Sequence, residues 1–373
     1  MPDRELRIAL CTDGVFPHAM GGMQRHSRLL AEHLAAIEGV RLIVIHPHAP
    51  GIFDPRLGIQ EVAIAPIDQQ RFYLKELWHY SARVADELDR LQPDAILSQG
   101  FCVWKGIDRF TPRLVMMPHG LEMFQGLTSK DRFMGWPFRW LVRRIARSSK
   151  RVVSLGGRLT PMLESVTRGS GARVQVLPNA VALPESAPPY PADGGALRLL
   201  FVGRFAFNKG IDLLLRVASR LHAEGTNVRI VLAGDGPERA RMERDGLPPN
   251  VELAGQVDDA RLESLYADCH ALVLPTRFEG MPTVVLEAMA RARPVIVSDV
   301  GASAELVDST NGFLLPPGDE EALLRAIKAL IALPPMERAR MGEEGRRRVQ
   351  ARFTWPKVAA AFAALARDAA QRV

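Results

Sequence analysis

Short apolar runs recur along this chain, and longer stretches with apolar positions at helical spacing separate most of them. In the first half, Leu6–Cys11, Arg41–Ile45, Asp94–Leu97, Arg113–Met117, Arg151–Ser154 and Val174–Leu177 read as strands. In the second, Leu197–Phe201, Val228–Leu232, Val251–Leu253, Ala271–Leu274 and Pro294–Val297 do so. Met23 to Ile37 predicts a long amphipathic helix. Strand–helix alternation with runs this apolar predicts an α/β protein built on doubly wound parallel sheets. Leu183–Gly195 breaks the periodicity with Pro184, Pro188, Pro189 and Pro191 and closes on a Gly pair, so it predicts an interdomain linker. Two domains are expected, residues 1–186 and 187–354. Beyond Pro356 the chain reads as an alanine-rich helix.

The residues that can do chemistry gather after the strands, at the edge where open parallel sheets bind ligands. Glu279 lies in the loop after Ala271–Leu274, and Glu287 lies in a helix expected from Thr283 to Arg291, with Pro282 in its first turn. Two carboxylates so placed can grip two parts of one polyol, or Glu279 caps the helix and Glu287 is solvated. Arg204 and Lys209 occupy the loop after the Leu197 strand, before a helix from Ile211. An Arg fork, a Lys point charge and a helix N-terminus suit a diphosphate, although either cation alone is commonly just solvated. Gly21-Gly22 before the first long helix lets backbone approach a phosphate, or forms an ordinary turn. Gly234 to Arg239 lacks the third glycine of a dinucleotide fingerprint, which argues against a nicotinamide enzyme.

The motifs Val202-Gly203-Arg204, Lys209-Gly210, Ala233-Gly234-Asp235-Gly236-Pro237 and Glu279-Gly-Met-Pro-Thr-Val-Val-Leu-Glu287 resemble those of the retaining "group 1" glycosyltransferases, family four, of the GT-B fold. Gly21-Gly-Met-Gln-Arg-His26, Pro118-His119-Gly120 and Leu177-Pro178-Asn179 extend the resemblance over nearly the whole chain; Ala180 departs from the Gly usual there. The resemblance implies two Rossmann-like domains facing across a cleft, with the helix at 355–373 crossing back onto the first. It implies a nucleoside-diphosphate sugar held on the second domain and a sugar-containing acceptor on the first. Arg204 and Lys209 would hold the diphosphate. Glu279, with the backbone of Gly280 and Met281, would hold the sugar hydroxyls, and Glu287 the ribose. Gly21 and Gly22 would approach the diphosphate, and His119 would lie beside the sugar. No cofactor and no metal are expected, because the two cations neutralise the leaving group. A noncatalytic binding or assembly protein and a nucleotide-sugar epimerase are the other classes the same fold allows.

Composition is ordinary for a globular protein, 47% apolar and 24% charged. There is no run of about twenty apolar residues of the kind that spans a membrane, and the charged start Met1-Pro-Asp-Arg-Glu lacks a signal-peptide core. Cys11, Cys102 and Cys269 fit neither a zinc site nor a disulfide framework, so a reduced, cytoplasmic protein is expected. His46-Pro-His48 has no partner in sequence that would complete a metal site.

All of the formal net charge of +6 falls within residues 1–186. Much of it lies in Arg132 to Arg151, which has no acidic residue and interleaves Phe133, Trp136, Phe138 and Trp140. Helical spacing puts Phe138, Leu141, Val142 and Ile145 on one face, and Arg139, Arg143, Arg147 and Lys150 on the other near Trp140. This is either an ordinary solvated helix face or a contact for an anionic membrane surface or lipid-linked acceptor, with the protein peripheral on the inner face of the membrane. No nucleic-acid-binding fold accompanies the charge, so nucleic acid is not an expected partner.

Overall fold

The computed structural model describes residues 5–19, 21–68, 70, 72–125, 133–192 and 194–371. The chain forms two compact units, Met1–Asn179 with Trp355–Val373, and Ala180–Thr354.

The first unit carries a seven-stranded sheet of β1 (Leu6–Cys11), β2 (Val40–His46), β3 (Gln60–Ala63), β4 (Ala95–Gln99), β5 (Leu114–Met117), β6 (Arg151–Ser154) and β7 (Arg173–Val176). Their order is β3-β2-β1-β4-β5-β6-β7, with every pair parallel. Its helices include α1 (Gly22–Ala35), α2 (Tyr73–Leu91), α3 (Trp136–Arg147) and α4 (Leu159–Thr167). The second unit carries β8 (Leu197–Val202), β9 (Val228–Ala233), β10 (Val251–Gly255), β11 (Ala271–Leu274), β12 (Val295–Ser298) and β13 (Gly312–Leu315). These are ordered β10-β9-β8-β11-β12-β13, again all parallel. Its helices are α5 (Ile211–Ala223), α6 (Arg239–Asp245), α7 (Asp259–Asp268), α8 (Thr283–Ala290), α9 (Ser303–Leu306), α10 (Glu320–Ala332) and α11 (Pro335–Arg352). A last helix, α12 (Trp355–Ala370), belongs to the first unit.

The central strands β1, β4, β8 and β11 are the apolar runs of the sequence, covered on both faces. The strand order reverses between β1 and β4 in one sheet and between β8 and β11 in the other. Such switch points open a crevice at the carboxyl ends of the strands. Two strands escape the sequence pattern, β3 and β13, and each closes an edge of its sheet. Half-buried edges do not demand an apolar run, and β3 buries only Val62.

Pro282 is not in the first helical turn as its sequence suggests. It precedes α8 in extended conformation, at ψ 111°. Lys150 does not share the solvated face of Arg139, Arg143 and Arg147, because α3 ends at Arg147. Instead Lys150 Nζ donates to the carbonyls of Gln371 (2.8 Å) and Asp368 (3.3 Å), beyond and within the end of α12. Arg151 pairs with the Asp368 carboxylate. Cations at a helix C-terminus complement its exposed carbonyls. The proline-rich stretch lies against the second unit. The Pro184 carbonyl accepts from Arg346 (2.6 Å), the Pro189 carbonyl from the fully buried Arg293 (2.9 Å), and the Tyr190 hydroxyl donates to the His270 carbonyl (2.9 Å).

Candidate active site

In the second unit the loops after β8 and β11 are locked together at the switch point. Gly210 ends the first loop at φ +70°, and a Cβ there would stand 2.0 Å from the Pro275 carbonyl oxygen. Only glycine permits that approach. The Asn208 carbonyl accepts from the Arg277 N–H (2.7 Å) and from the Thr276 hydroxyl (2.9 Å). Arg277 grips both oxygens of Asp212, at 2.7 and 2.8 Å, and its guanidinium lies 3.9 Å from the Phe207 ring centre. With the loops so fixed, Lys209 Nζ donates to Glu279 Oε1, and the Thr276 hydroxyl stands 3.3 Å from the same oxygen. Arg204 is exposed on the same loop as Lys209 and has no partner among the described residues.

The Glu279 loop is backed by the turn after β12. Gly301 sits at φ +54°, and a Cβ there would come within 2.2 Å of the Gly280 carbonyl oxygen. The Ala302 N–H donates to that oxygen at 2.8 Å. Gly280 and Met281 are buried. Glu287 is held from α7: the Tyr266 hydroxyl donates to its Oε2 at 2.9 Å. Burial, then the Glu287 carboxylate, push the Tyr266 hydroxyl pKa well above its ordinary value, so it remains a donor. Arg291 bonds the Glu287 carbonyl (2.8 Å) and is itself paired with Glu263.

In the first unit, Gly21 and Gly22 open α1, and a Cβ on Gly22 would meet open space. His119 follows β5. Its Nε2 is buried with no hydrogen-bond partner among the described residues, and burial pushes its pKa down to about 4. The ring is therefore neutral near pH 7. His26 of α1 stands edge-on to it, ring centres 4.7 Å apart, and is pushed well below its ordinary pKa by burial and by His119. Beneath them Gln99 ends β4 and accepts from Ser27, which lies 3.0 Å from the Thr12 hydroxyl.

His46 and His48 do meet a carboxylate far off in sequence. His46 Nε2 lies 3.2 Å from Glu61, its Nδ1 accepts from the His48 N–H, and His48 Nε2 accepts from the Val15 N–H. The ring nitrogens so used hold backbone and carboxylate. Among the described residues no group of three His, Cys, Asp or Glu could hold a metal ion.

On α3, Trp140, Arg143 and Arg147 are exposed and Arg139 is half-buried, bonding the Met123 carbonyl at 2.9 Å. Arg147 bonds the Arg168 carbonyl just past α4 (2.9 Å), and Arg144 pairs with Asp108 (2.8 Å). Arg132, the first cation of the basic stretch, lies outside the described residues.

Two family profiles match the chain, "Glycosyltransferase Family 4" over residues 20–184 and "Glycosyl transferases group 1" over residues 196–332. The chain belongs to the group 1, family 4 glycosyltransferases. Among curated relatives of this family member, an alpha-D-kanosaminyltransferase of Streptomyces kanamyceticus is 33% identical over 150 residues, 39% of each chain. The O-antigen chain mannosyltransferase C of Escherichia coli is 32% identical over 163 residues, 42% of each. The matches thus span about two fifths of those relatives' length. The solved sucrose-phosphate synthase of Thermosynechococcus elongatus superposes with a TM-score of 0.80 at 23% identity, covering 97% of this chain and 98% of that one. Its likeness, with the two parallel sheets, makes this a GT-B fold.

Arg277, Asp212, Tyr266 and Gly301 support the candidate residues and were invisible as such in sequence. Each resembles an ordinary loop or helix residue, and each acts on a partner outside its own element. Asp212, two residues after Gly210, gave the nearest thing to a signal.

Proposed function

We propose that this protein transfers a glycosyl group from a nucleoside-diphosphate sugar to an acceptor hydroxyl, with retention of anomeric configuration and without a metal. The observation that carries the reading is the contact of Lys209 with Glu279 at the β8/β11 switch point, with Arg204 exposed on the same loop. Cations for a diphosphate and a carboxylate for hydroxyls lie there within one crevice edge. Arg204 and Lys209 neutralise the diphosphate as its bond to the anomeric carbon breaks. The acceptor oxygen bonds that carbon on the same face, and its proton passes to the departing diphosphate. Glu279, with the Gly280–Met281 backbone, orients the sugar, and Glu287, held by Tyr266, takes the ribose. Gly21 and Gly22 contact the diphosphate, and neutral His119 lies beside the sugar. The acceptor is sugar-containing, in a cell-envelope polysaccharide or glycolipid. The first unit meets it at the anionic cytoplasmic face of a membrane through α3, with the exposed Trp140, Arg143 and Arg147 beside the half-buried Arg139.

A thermal-shift screen against UDP-, GDP- and ADP-sugars identifies the donor, since a ligand at about a hundred times its Kd stabilises by about 2.7 kcal/mol. Calorimetry with the matching nucleoside diphosphate then separates the carboxylates. Glu287→Ala should lose nucleotide affinity and Glu279→Ala should keep it, while Arg204→Ala and Lys209→Ala each slow transfer by at least about a hundredfold. Equal loss of nucleotide affinity in both glutamate variants, or near-wild-type turnover without either cation, would overturn the assignment. Conversion of the donor sugar without acceptor would indicate the epimerase class instead.

A further inference from the structure

A second feature of the first unit lies apart from the donor residues. Leu74 of α2, Trp104, and Trp136, Pro137, Trp140 and Leu141 of α3 line a pocket of about 280 Å³. Two of its lining side chains are large, apolar and left in water, Trp136 at 63% and Trp140 at 57% exposed, and Phe72, two residues before Leu74, is 73% exposed. Clustered aromatics left in water mark a contact surface.

The lining decides what enters. A sugar stacked on tryptophan still needs partners for its hydroxyls, and burying them unpaired is costly. Leu, Pro and Trp side chains offer none but indole N–H groups, and that of Trp104 is spent on the Leu77 carbonyl at 3.2 Å. An unbranched hydrocarbon chain asks for no such partner. Charge selects the surroundings. Trp136, Trp140, Arg143 and Arg147 follow at helical spacing along one stripe of α3, with aromatics at its first turns and cations beyond. Lys75 is exposed beside Leu74. Aromatic rings at the headgroup level with cations flanking them match an anionic lipid surface.

We propose that this pocket takes one hydrocarbon chain of a lipid from an anionic membrane. The proposal rests on the membrane contact advanced above and adds to it a specific insertion.

Tryptophan fluorescence tests both and tells them apart. The chain has five tryptophans. Trp104, Trp136 and Trp140 line the pocket, Trp78 touches Trp104 at 4.8 Å, and Trp355 is buried elsewhere in the unit. The protein is mixed with phosphatidylcholine/phosphatidylglycerol vesicles whose acyl chains are plain or brominated midway, and flotation is read in parallel. Wild type should float with anionic and not with neutral vesicles. Chain bromination should remove about half or more of the emission, since most of the fluorophores border the pocket. Trp140→Ser, at an exposed position, should weaken vesicle binding at least about fivefold and still fold. Leu74→Asp, on a half-exposed position of the other wall, should do the same if the pocket matters and not only Trp140 itself. Flotation without quenching by brominated chains would overturn chain insertion and leave the membrane contact standing. No flotation on anionic vesicles at low salt would overturn both.

Discussion

Arg277→Ala removes the clamp between the loops that present Lys209 and Glu279. The Arg277 and Asp212 side chains are 13% and 18% exposed, so solvent screens their pairing little. The substitution removes two bonds to Asp212 at 2.7 and 2.8 Å, one to the Phe207 carbonyl at 2.5 Å, and the guanidinium stacked 3.9 Å from the Phe207 ring centre. Hydrogen bonds to charged groups contribute about 1.5–3 kcal/mol. Asp212 keeps Arg216 at 3.1 Å, so its charge is not orphaned. The expected cost is therefore about 2–3 kcal/mol, below the 3–5 kcal/mol typical of an abandoned buried charge. For a unit of this size that lowers Tm by roughly 5–10 °C.

The pH dependence follows with a definite sign. Burial pushes the Asp212 carboxyl up, and hydrogen bonds from Arg277 and Arg216 outweigh it, leaving its pKa below the usual range. A carboxyl depressed in the fold contributes stability above its unfolded pKa of about 3.9, and that stability is lost as pH falls through its folded value. Arg277→Ala should thus cost more near neutrality than in strong acid. Calorimetry on Arg277→Ala, Asp212→Asn and the double variant measures the coupling, expected at about 1–2 kcal/mol. Coupling below about 0.3 kcal/mol, with an unchanged acid limb, would refute the clamp. Arg277→Lys is expected to rescue only part, because a point charge cannot replace the fork.

Two further outcomes are expected. Gly301→Ala places a methyl 2.2 Å from the Gly280 carbonyl and 2.3 Å from that of Glu279, so the Glu279 loop must move. Transfer should fall at least about tenfold with global stability lowered by about 1–3 kcal/mol, and wild-type turnover would contradict the backing role. His119, held at about 4 by burial, is neutral in the fold but gains a proton when unfolded below its ordinary pKa. Its share of stability is whole above about pH 6.5 and is lost as pH falls toward 4, by at most about 3 kcal/mol. His119→Gln should shallow the decline of the urea midpoint between those limits, and an unaltered decline would show the ring is not held neutral.

Strands buried on both faces were legible because nothing but an apolar run can occupy β1, β8 or β11. The edge strand β3 was not, since one side of it faces solvent and local composition is then free, and β13, though apolar as Gly-Phe-Leu-Leu, is only four residues long between turn residues. Glu279, Lys209 and Arg204 could be placed at a sheet edge from their positions after strands. That Lys209 would touch Glu279 could not, because the two are 70 residues apart and the contact depends on Gly210 passing close to Pro275. The basic stretch misled in part for a similar reason. Periodicity treats Lys150 as one more cation on a helix face, whereas its position past the end of α3 sends it to the carbonyls of a helix some two hundred residues on.

That last contact has a consequence for how the protein is made. The second unit is one unbroken stretch, Ala180–Thr354, while the first needs both ends of the chain. All seven strands of the first sheet leave the ribosome before the sixteen residues of α12 exist. Until then His26 and His33 of α1 lack Trp355, His26 lacks Phe362, and Lys150 and Arg151 lack their partners. The half born second can therefore be finished first, and the half born first waits, one apolar face uncovered, until α12 has been made. A message stalled before α12 would leave a nascent chain whose second unit is complete and whose first unit is a client for chaperones.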